Sequence, residues 1–368
     1  MIWMTEAGCR RKHKKTDRRR TPHDVRVAGT FAERPPAPRA PPRAPTPAEN
    51  RANDRAMVEF AWEISDITPW LPVFEAELRE MNRGKRGRPF EYPDSLVLWT
   101  LAYMECLGLS YRMAVGNLSA VLGAHGIAPP SHSRLCERLG ELARDPAAGL
   151  PAGVLAARAC GRADGRERSA GVDSTGICLS TAGLWRDEAW GREEGARGWL
   201  KLHALVDTDT GEILAYAVTE RDVGDSPMLP ALLGLALSAG HRIRTLFADG
   251  AYASVANYGA VAAEGIRFVT SFRSDTVPRN RGCAAWGDAT RLWCALPYGD
   301  WVAASGYGTR WKCECVFSDL KRILGEAVTA RKERSVAAQV AARVRVFNGY
   351  KRKRAEIMGV TGNGVAVA

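Results

Sequence analysis

The stretch WLKLHALVDTDTGEILAYAVTE, residues 199–220, decides the fold of this chain. Residues 200–206 and 213–219 are rich in apolar and β-branched side chains, and the polar sequence DTDTGE separates them. Runs of this length around a turn rich in Asp, Thr and Gly predict two antiparallel strands joined as a hairpin. The hairpin therefore anchors a sheet, to which the flanking sequence is expected to add strands.

The sequence on both sides extends this sheet. Upstream, SAGVDSTGICLS (residues 169–180) predicts a strand that carries Asp173. Downstream, helices are predicted over residues 226–240 and 253–265, strands over 242–249 and 266–272, and, after a looser segment to about residue 306, helices from 307 and over 335–350. The order β-β-β-α-β-α-β-α predicts an α/β protein with an RNase H-like catalytic core, a mixed five-stranded sheet with flanking helices.

Composition divides the chain into four parts. Residues 1–56 are basic and rich in Pro, Ala and Arg, which predicts a disordered arm. This arm either adds nonspecific DNA affinity or precedes a true start at Met57. The other expected parts are a helical DNA-binding domain (57–150), the catalytic domain (165–350) and a basic, flexible tail (351–368).

The helical part contains a pattern typical of DNA readers. Helices are predicted over residues 93–107, 111–122 and 131–144, and the sequence GAHGIAPP separates the last two. A helix, a Gly/Pro break and a helix that opens in Ser and Arg resemble a helix-turn-helix, with Arg134 and Arg138 as DNA contacts. A plain helical bundle packed on the catalytic domain fits the same pattern.

The bulk numbers favour a polyanionic partner. The formal net charge is +11 and the pI is near 9.4, which is typical of proteins that bind nucleic acid. The apolar segments are too short or too interrupted to span a membrane. The nine cysteines form no CxxC pair, which gives zinc little support, and their odd number without a secretion signal fits a reducing cytoplasm.

Three acidic residues are candidates for catalysis. Asp173 lies among small and apolar residues of a predicted central strand, where an unpaired carboxylate is costly unless it has a function or is satisfied by nearby N–H groups. Asp249 ends a predicted strand, where α/β sheets present active groups, although an ordinary Asp-Gly turn would also place it there. Glu314 either belongs to a functional helix face or forms an i,i+4 pair with Arg310.

The residues around Glu314 favour the functional interpretation. Tyr307, Arg310, Glu314 and Lys321 are separated by three, four and seven residues, so that on an α-helix they form one stripe. Such a face can hold a metal ion and bind phosphates beside it. Carboxylates suit magnesium, and two divalent ions about 4 Å apart can activate a nucleophile and stabilise a leaving oxygen in phosphodiester chemistry.

With these motifs in place, the chain resembles the DDE transposases of bacterial and archaeal insertion sequences. The matching motifs are GVDSTG with Asp173, KLHALVDTDTGEILA, FADGAY with Asp249, and the spacing of Tyr307, Arg310, Glu314 and Lys321 that forms the family's Tyr-Arg-Glu-Lys signature. The resemblance covers about residues 90 to 350.

The resemblance implies the reaction and its partners. Asp173, Asp249 and Glu314 would hold two Mg²⁺ ions, or Mn²⁺, while water frees a 3′-OH that then attacks target DNA. The other signature residues would contact phosphates near the scissile bond: Tyr307, Arg310 and Lys321. Lys201 and His203 would have structural or DNA-proximal roles. The expected partners are double-stranded DNA, as terminal inverted repeats and as target, and a second copy in a homodimer; the expected location is the cytoplasm, at the nucleoid, without membrane.

One departure and three alternatives remain. The segment between residues 272 and 307 is too short for the β-rich subdomain that larger relatives insert there, so its Trp286, Trp293 and Trp301 are expected to be buried in a small cap rather than to stack on a flipped base. The chain could also be an RNase H-like nuclease without strand transfer, or an inactive or domesticated transposase that only binds DNA. An RNA-binding role has the least support, because no aromatic RNA-binding strand motif is present.

Overall fold

A computed structural model describes residues 45–142, 160, 164–179, 199–330 and 333–359 of the 368-residue chain. Most of the predicted N-terminal arm and the end of the predicted tail lie outside these residues. Within them, no helix is long and apolar enough to cross a membrane.

The N-terminal part is helical, as expected. Its helices are α1 (Pro47–Ser65), α2 (Leu71–Asn82), α3 (Asp94–Leu107), α4 (Tyr111–Gly123) and α5 (His132–Leu142). The first helix starts with a capping box, in which the Thr46 hydroxyl accepts from the Glu49 N–H at 3.2 Å and the Glu49 carboxylate accepts from the Thr46 N–H at 2.7 Å. Helix α4 is capped by Ser110, which accepts from the Met113 N–H.

The catalytic part is a mixed sheet with flanking helices, so the predicted fold class is confirmed. The strands are β1 (Glu167–Leu179), β2 (Trp199–Asp207), β3 (Ile213–Glu220), β4 (Arg242–Ala248), β5 (Arg267–Thr270) and β6 (Ala327–Val328). Their order is β3-β2-β1-β4-β5, with the first three antiparallel and β1, β4 and β5 parallel. This is the RNase H-like arrangement, and the short β6 adds to the end of β1.

Helices cover both faces of the sheet. The helices after β3 are α6 (Leu229–Ser238), α7 (Val255–Ala263), α8 (Ala284–Ala295), α9 (Tyr298–Ser305), α10 (Trp311–Leu324) and α11 (Glu333–Ile357). One apolar core joins β1, β2 and β3 to α10 and α11, and also to α3 and α5. The other core packs α6 and α7 on the opposite face. A sheet covered on both faces buries its central strands.

The segment before the signature is more ordered than its composition predicted. Residues 284–305 form α8 and α9. The prediction of a segment without regular structure up to about residue 306 was therefore wrong. The tryptophans of these two helices are buried, with Trp286 and Trp293 8% exposed and Trp301 2% exposed. The Trp293 and Trp301 rings meet edge to face with centroids 4.7 Å apart. The expectation of a small buried cap is therefore confirmed, and burial of large aromatic surface explains why a Gly-containing segment is helical.

Helices α3 and α5 of the helical part contribute to the core of the catalytic part, while α2, α3 and α4 also form a core of their own. Two predicted boundaries of the folded chain also change. Helix α1 begins at Pro47, so the folded chain starts before residue 57, and α11 continues to Ile357 into the predicted tail. The two helices are joined because the Asn53 side-chain oxygen accepts from the Tyr350 hydroxyl at 3.1 Å and from Arg354 Nε at 2.6 Å. Sequence composition missed these contacts because the partners are about 300 residues apart.

Helix α3 is tied to α11 in the same way. Glu105 accepts from Arg343 Nε at 3.0 Å and from Gln339 Nε2 at 2.8 Å, and all three side chains are largely buried. The helical bundle packed on the catalytic core, one of the two alternatives from the sequence, thus describes the architecture. Whether α4 and α5 contact DNA stays a prediction.

Candidate active site

Two parallel strands place the first two candidate carboxylates side by side. Strands β1 and β4 run parallel with Val172 opposite Ala248, which is the last pair in their register. Asp173 and Asp249 are the next residue on each strand. Along a strand, alternate residues share a face, so Asp173 lies on the face of Gly171 and Asp249 on the face of Phe247. The two carboxylates therefore stand level at the point where β4 leaves β1.

A close approach between α10 and β1 brings the third carboxylate to this point. A Cβ added to Gly171 would lie 2.1 Å from the Cys313 sulfur, so only glycine allows the helix to pack this near the strand. Both Gly171 and Cys313 are fully buried. Glu314 follows Cys313 in the first turn of α10 and is exposed at the same edge.

Arg310 lies between two of the three carboxylates. Its Nη1 is 3.4 Å from Asp173 Oδ2, and its Nη2 is 2.5 Å from Glu314 Oε1. The guanidinium is 13% exposed and Asp173 is 20% exposed, so this is a sheltered ion pair. Asp249 instead accepts a hydrogen bond from the Ala251 N–H at 2.8 Å, in the first turn of a short 3₁₀ helix.

The electrostatics of Asp173 are those of a crowded acidic site. The pKa of Asp173 is raised to about 6, chiefly by burial and also by the neighbouring Asp249 and Glu314 charges, which together outweigh the lowering effect of the Ser174 N–H and Arg310. One guanidinium therefore does not neutralise the cluster. A surplus of negative charge in a sheltered place is an arrangement that attracts cations.

The rest of the signature does not form the single helical stripe that the spacing predicted. Residues Tyr307–Arg310 form a 3₁₀ turn, and α10 starts only at Trp311. The tighter turn directs Tyr307 to the end of β5, where its hydroxyl donates to Ser271 Oγ at 3.1 Å. Lys321 lies two turns after Glu314 and makes no ion pair within the described part of the chain.

The hairpin residues Lys201 and His203 have structural contacts. Lys201 Nζ donates to the Val223 carbonyl at 2.9 Å and pairs with Asp225 at 3.2 Å. His203 is fully buried, with Nε2 2.9 Å from Thr219 Oγ1 and Nδ1 3.3 Å from Asp225. Burial lowers the pKa of His203, which favours a neutral ring at pH 7.

The two arginines of the predicted DNA-reading helix differ from each other. Arg134 is exposed and pairs with Glu137 at 3.2 Å. Arg138 is 13% exposed; it pairs with Asp94 of α3 and with Glu141, and its guanidinium lies over the Phe90 ring. Arg138 thus links α5 to α3. This structural role was not among those that the sequence predicted for Arg138.

The oxygen atoms of the three carboxylates suit a hard divalent cation, but they are not arranged as a formed metal site. Among the described residues, no group of three or more His, Cys, Asp or Glu side chains is arranged to hold a metal ion. Asp173, Asp249 and Glu314 nevertheless converge at one edge and carry oxygen donors of the kind that Mg²⁺ and Mn²⁺ prefer. Arg310 occupies the space between two of them, so it would have to move for all three to share a cation.

Sequence reasoning missed two residues that build this site. Gly171 permits the approach of α10, and a glycine inside a predicted strand, two residues before the acidic candidate, was the available signal. Ser271 accepts a hydrogen bond from the Tyr307 hydroxyl, and nothing in the sequence around Ser271 indicates this role.

Comparison with known proteins agrees with the geometry. Residues 167–348 match the family described as "Transposase DDE domain". Through these residues the chain belongs to the transposases that carry a DDE domain, as the sequence motifs indicated. Membership implies DNA transposase activity, meaning phosphodiester cleavage and transfer, and a general dependence on divalent metal ions.

A solved structure was also matched, titled "Crystal structure of a pre-cleavage Mos1 transpososome". The match has 11% sequence identity and a TM-score of 0.19, and it covers 77% of this chain and 82% of the other. At that TM-score the match adds nothing to the fold assignment, which rests on the sheet topology and the family.

Proposed function

We propose that this transposase cuts DNA at the terminal inverted repeats of an insertion sequence and transfers the freed 3′-OH into target DNA, with Asp173, Asp249 and Glu314 as ligands of two Mg²⁺ ions. The observation that carries the proposal is the meeting of these three carboxylates where β4 leaves β1. The bound ions would polarise the scissile phosphate and activate the attacking oxygen.

The chain's own residues have definable tasks in this reaction. Asp173 is held within β1, Asp249 directly after β4, and the backbone of Glu314 by the packing of α10 on Gly171, so the backbone positions of the three donors are set before substrate binds. Arg310 is a natural phosphate ligand because its planar guanidinium can bind two oxygens at once. With Asp173 and Glu314 holding cations, Arg310 would be free to contact the DNA backbone.

Tyr307 and Lys321 complete the DNA contacts in this proposal. The Tyr307 hydroxyl is anchored at Ser271 and its ring packs on Trp301, with centroids 4.8 Å apart, so it presents a fixed surface beside Asp249. Lys321 has no acidic partner in the described residues and is available as a point charge for a phosphate. The helical part, with Arg134 on its surface, would bind the terminal repeat.

The assembly follows from the reaction. Joining two element ends to one target requires two active sites, so a homodimer on DNA is expected, working at the nucleoid. The net charge of +11 supports a DNA partner.

The test is cleavage of labelled DNA that carries the element's own ends. The wild type is compared with Glu314→Gln, which keeps the size of the side chain but removes its charge, and with Glu264→Gln, an exposed glutamate at the end of α7, as the matched control. The proposal expects a 3′-OH cut that needs Mg²⁺ and is lost only in Glu314→Gln.

The alternatives give different results in the same assay. Cutting without joining to target DNA would indicate a nuclease. Binding without cutting in the wild type would indicate a DNA-binding protein that has lost its chemistry. Equal cutting by wild type and Glu314→Gln would contradict the carboxylate assignment.

A further inference from the structure

An open pocket lies directly beside Asp249. Its volume is about 750 Å³, which is within the usual range for ligand sites. One wall is formed by Gly250 and Ala251, the residues that follow Asp249 in the chain. The opposite wall is the loop of residues 273–282 between β5 and α8, and the aromatic side chains of Phe272 and Trp286 complete the lining. The pocket therefore adjoins the acidic edge through Gly250 and Ala251.

The charge of this pocket is opposite to that of the carboxylate site. Arg273, Arg279 and Arg281 line it and are exposed, whereas Asp275 is the single acidic residue of the lining. None of the three arginines forms an ion pair within the described part of the chain, although most other arginines there do. Arg281 instead lies over the Trp286 ring, 6.0 Å from its centroid.

The arginine loop is held in place before any ligand binds. Turn hydrogen bonds join the Thr276 N–H to the Arg273 carbonyl at 3.1 Å and the Cys283 N–H to the Asn280 carbonyl at 2.8 Å. The loop also packs tightly on α8: a Cβ at Gly287 would lie 3.2 Å from Asn280 Cα and from its side-chain oxygen. The supported backbone fixes the positions from which the three arginines reach an anion, so binding costs little backbone entropy and mainly the ordering of their side chains.

We propose that this pocket binds the phosphates of a single-stranded DNA segment next to the scissile bond. A pocket lined by arginines is typical of sites for unpaired strands, where cations bind the backbone. Phe272 and Trp286 belong to the packed aromatic cap, with Trp286 only 8% exposed, so they form the support of the pocket. A pocket of about 750 Å³ can take part of one strand, whereas the bases of a duplex are stacked inside the double helix and cannot enter a pocket without leaving it. The inference rests on the proposed function, because it takes the adjoining carboxylates as the place of cutting.

The pocket also suits the electrostatics of the reaction. The three carboxylates repel a DNA backbone, and a neighbouring surplus of positive charge offsets that repulsion where the strand enters. Binding of the strand in the pocket then holds the scissile phosphate beside Asp249. Holding a reacting group in the correct orientation increases the rate of the reaction.

The test measures binding of a fluorescein-labelled oligothymidylate of about 12 nucleotides, within the usual site sizes for single strands, to the full chain without divalent ions. The test variant carries Arg273→Gln and Arg279→Gln. The matched control carries Arg242→Gln and Arg244→Gln, which are exposed at the start of β4. That end of the strand is about 20 Å from Asp249, at about 3.3 Å per residue.

The expected result is a change in salt dependence. Each lost phosphate contact lowers the slope of log K against log salt by about 0.7 for a single strand, so the test variant should lose about 1.4 and the control nothing. At about 0.1 M salt this corresponds to roughly 10- to 30-fold weaker binding. Gly287→Ala, which displaces the loop without changing charge, should also weaken binding, with circular dichroism confirming that each variant is folded.

Three results would overturn the proposal. The first is an unchanged slope in the Arg273→Gln, Arg279→Gln variant, and the second is an equal fall in the control. The third is an equal loss for a duplex of the same length, which would mean that the arginines bind duplex backbone. Because the assay contains no divalent ion, selective loss of strand binding would support the pocket even if the wild type made no cut.

Discussion

Two arginines of this protein have nearly the same ion-pair surroundings, but we propose a functional role for one and a structural role for the other. Arg310 in the catalytic part and Arg138 in the helical part are each 13% exposed, and each bridges two carboxylates. The carboxylates of Arg310 are 20% and 46% exposed, and those of Arg138 are 22% and 50% exposed. Ion-pair geometry alone does not separate a functional cluster from a structural one.

The difference lies in what surrounds each pair. A third carboxylate, that of Asp249, faces the Arg310 cluster where two strands separate, and burial raises the pKa of Asp173 to about 6. Arg138 instead has an aromatic ring beneath it and links two packed helices. An excess of charge that the fold leaves unbalanced is therefore the better indicator of function.

The largest expected difference between the clusters is in activity. If Asp173 is a metal ligand as proposed, Asp173→Asn should lower DNA cleavage by at least about 1,000-fold, since a bound metal ion contributes several kcal/mol to transition-state stabilisation. Asp94→Asn, which changes the equivalent carboxylate in the Arg138 cluster, should leave cleavage within a few fold of wild type. Single-turnover cleavage of labelled ends measures both, and equal losses would mean that the two clusters do not differ in function.

The second prediction concerns the packing that positions Glu314. Gly171→Ala should destabilise the protein by about 1–3 kcal/mol, because the new methyl group overlaps the Cys313 sulfur and overpacks the interface. Adding Cys313→Ala should restore part of both stability and cleavage. Urea denaturation measures the first and the cleavage assay the second.

A glycine without such a neighbour provides the control for this substitution. Nothing lies within 4 Å of a Cβ at Gly234 of α6, so Gly234→Ala should leave cleavage unchanged and stabilise the helix by about 0.5–1 kcal/mol. If Gly171→Ala behaved in the same way, α10 would not depend on this contact.

The third prediction uses the sign of the pKa shift. The pKa of Asp173 is raised to about 6 from an ordinary 3.8, so the folded state binds this proton more tightly than the unfolded state does. In the absence of metal, this group therefore makes the free energy of unfolding fall as pH rises from about 4 to 6, and the loss is complete above that window. Asp173→Asn should remove this dependence and stabilise the metal-free protein at pH 7 by roughly 1–2 kcal/mol.

Asp94→Asn supplies the contrast in stability as well. It removes a favourable ion pair and an acidic residue from the first turn of α3, so it should lower the free energy of unfolding at pH 7 by about 1 kcal/mol. Thermal melts of both variants between pH 4 and 7 test the opposite signs. Destabilisation by Asp173→Asn at pH 7 would contradict the strained-carboxylate interpretation.

The smallest expected effects separate the two arginines of α5. Arg134→Gln removes an exposed cation, so it should change stability by less than about 0.5 kcal/mol and lower the salt slope of duplex binding by about 0.9. Arg138→Gln should leave that slope unchanged and lower stability by about 1 kcal/mol, because its cation joins α5 to α3. Reversed results would mean that Arg138 leaves its ion pairs to bind DNA.

The sequence by itself determined the strand order and the three acidic candidates. Both depend on local patterns: apolar runs bounded by turn residues, a carboxylate within an apolar strand (Asp173) and a carboxylate at a predicted strand end (Asp249). That β1 and β4 pair in parallel and bring the two aspartates together is known only from the structure. The signature spacing added Glu314.

Only the tertiary structure decided how these groups are arranged. Tyr307 leaves the predicted stripe because a 3₁₀ turn replaces the first turn of the helix, and residues 284–305 are helical because their tryptophans find a core. Likewise, the partners of Arg138 and of α1 are distant in sequence, and composition carries no record of such contacts. Local propensity differs by a few tenths of a kcal/mol per residue, whereas burial of one large side chain contributes about 1.5–3 kcal/mol, so packing determines the outcome wherever the two disagree.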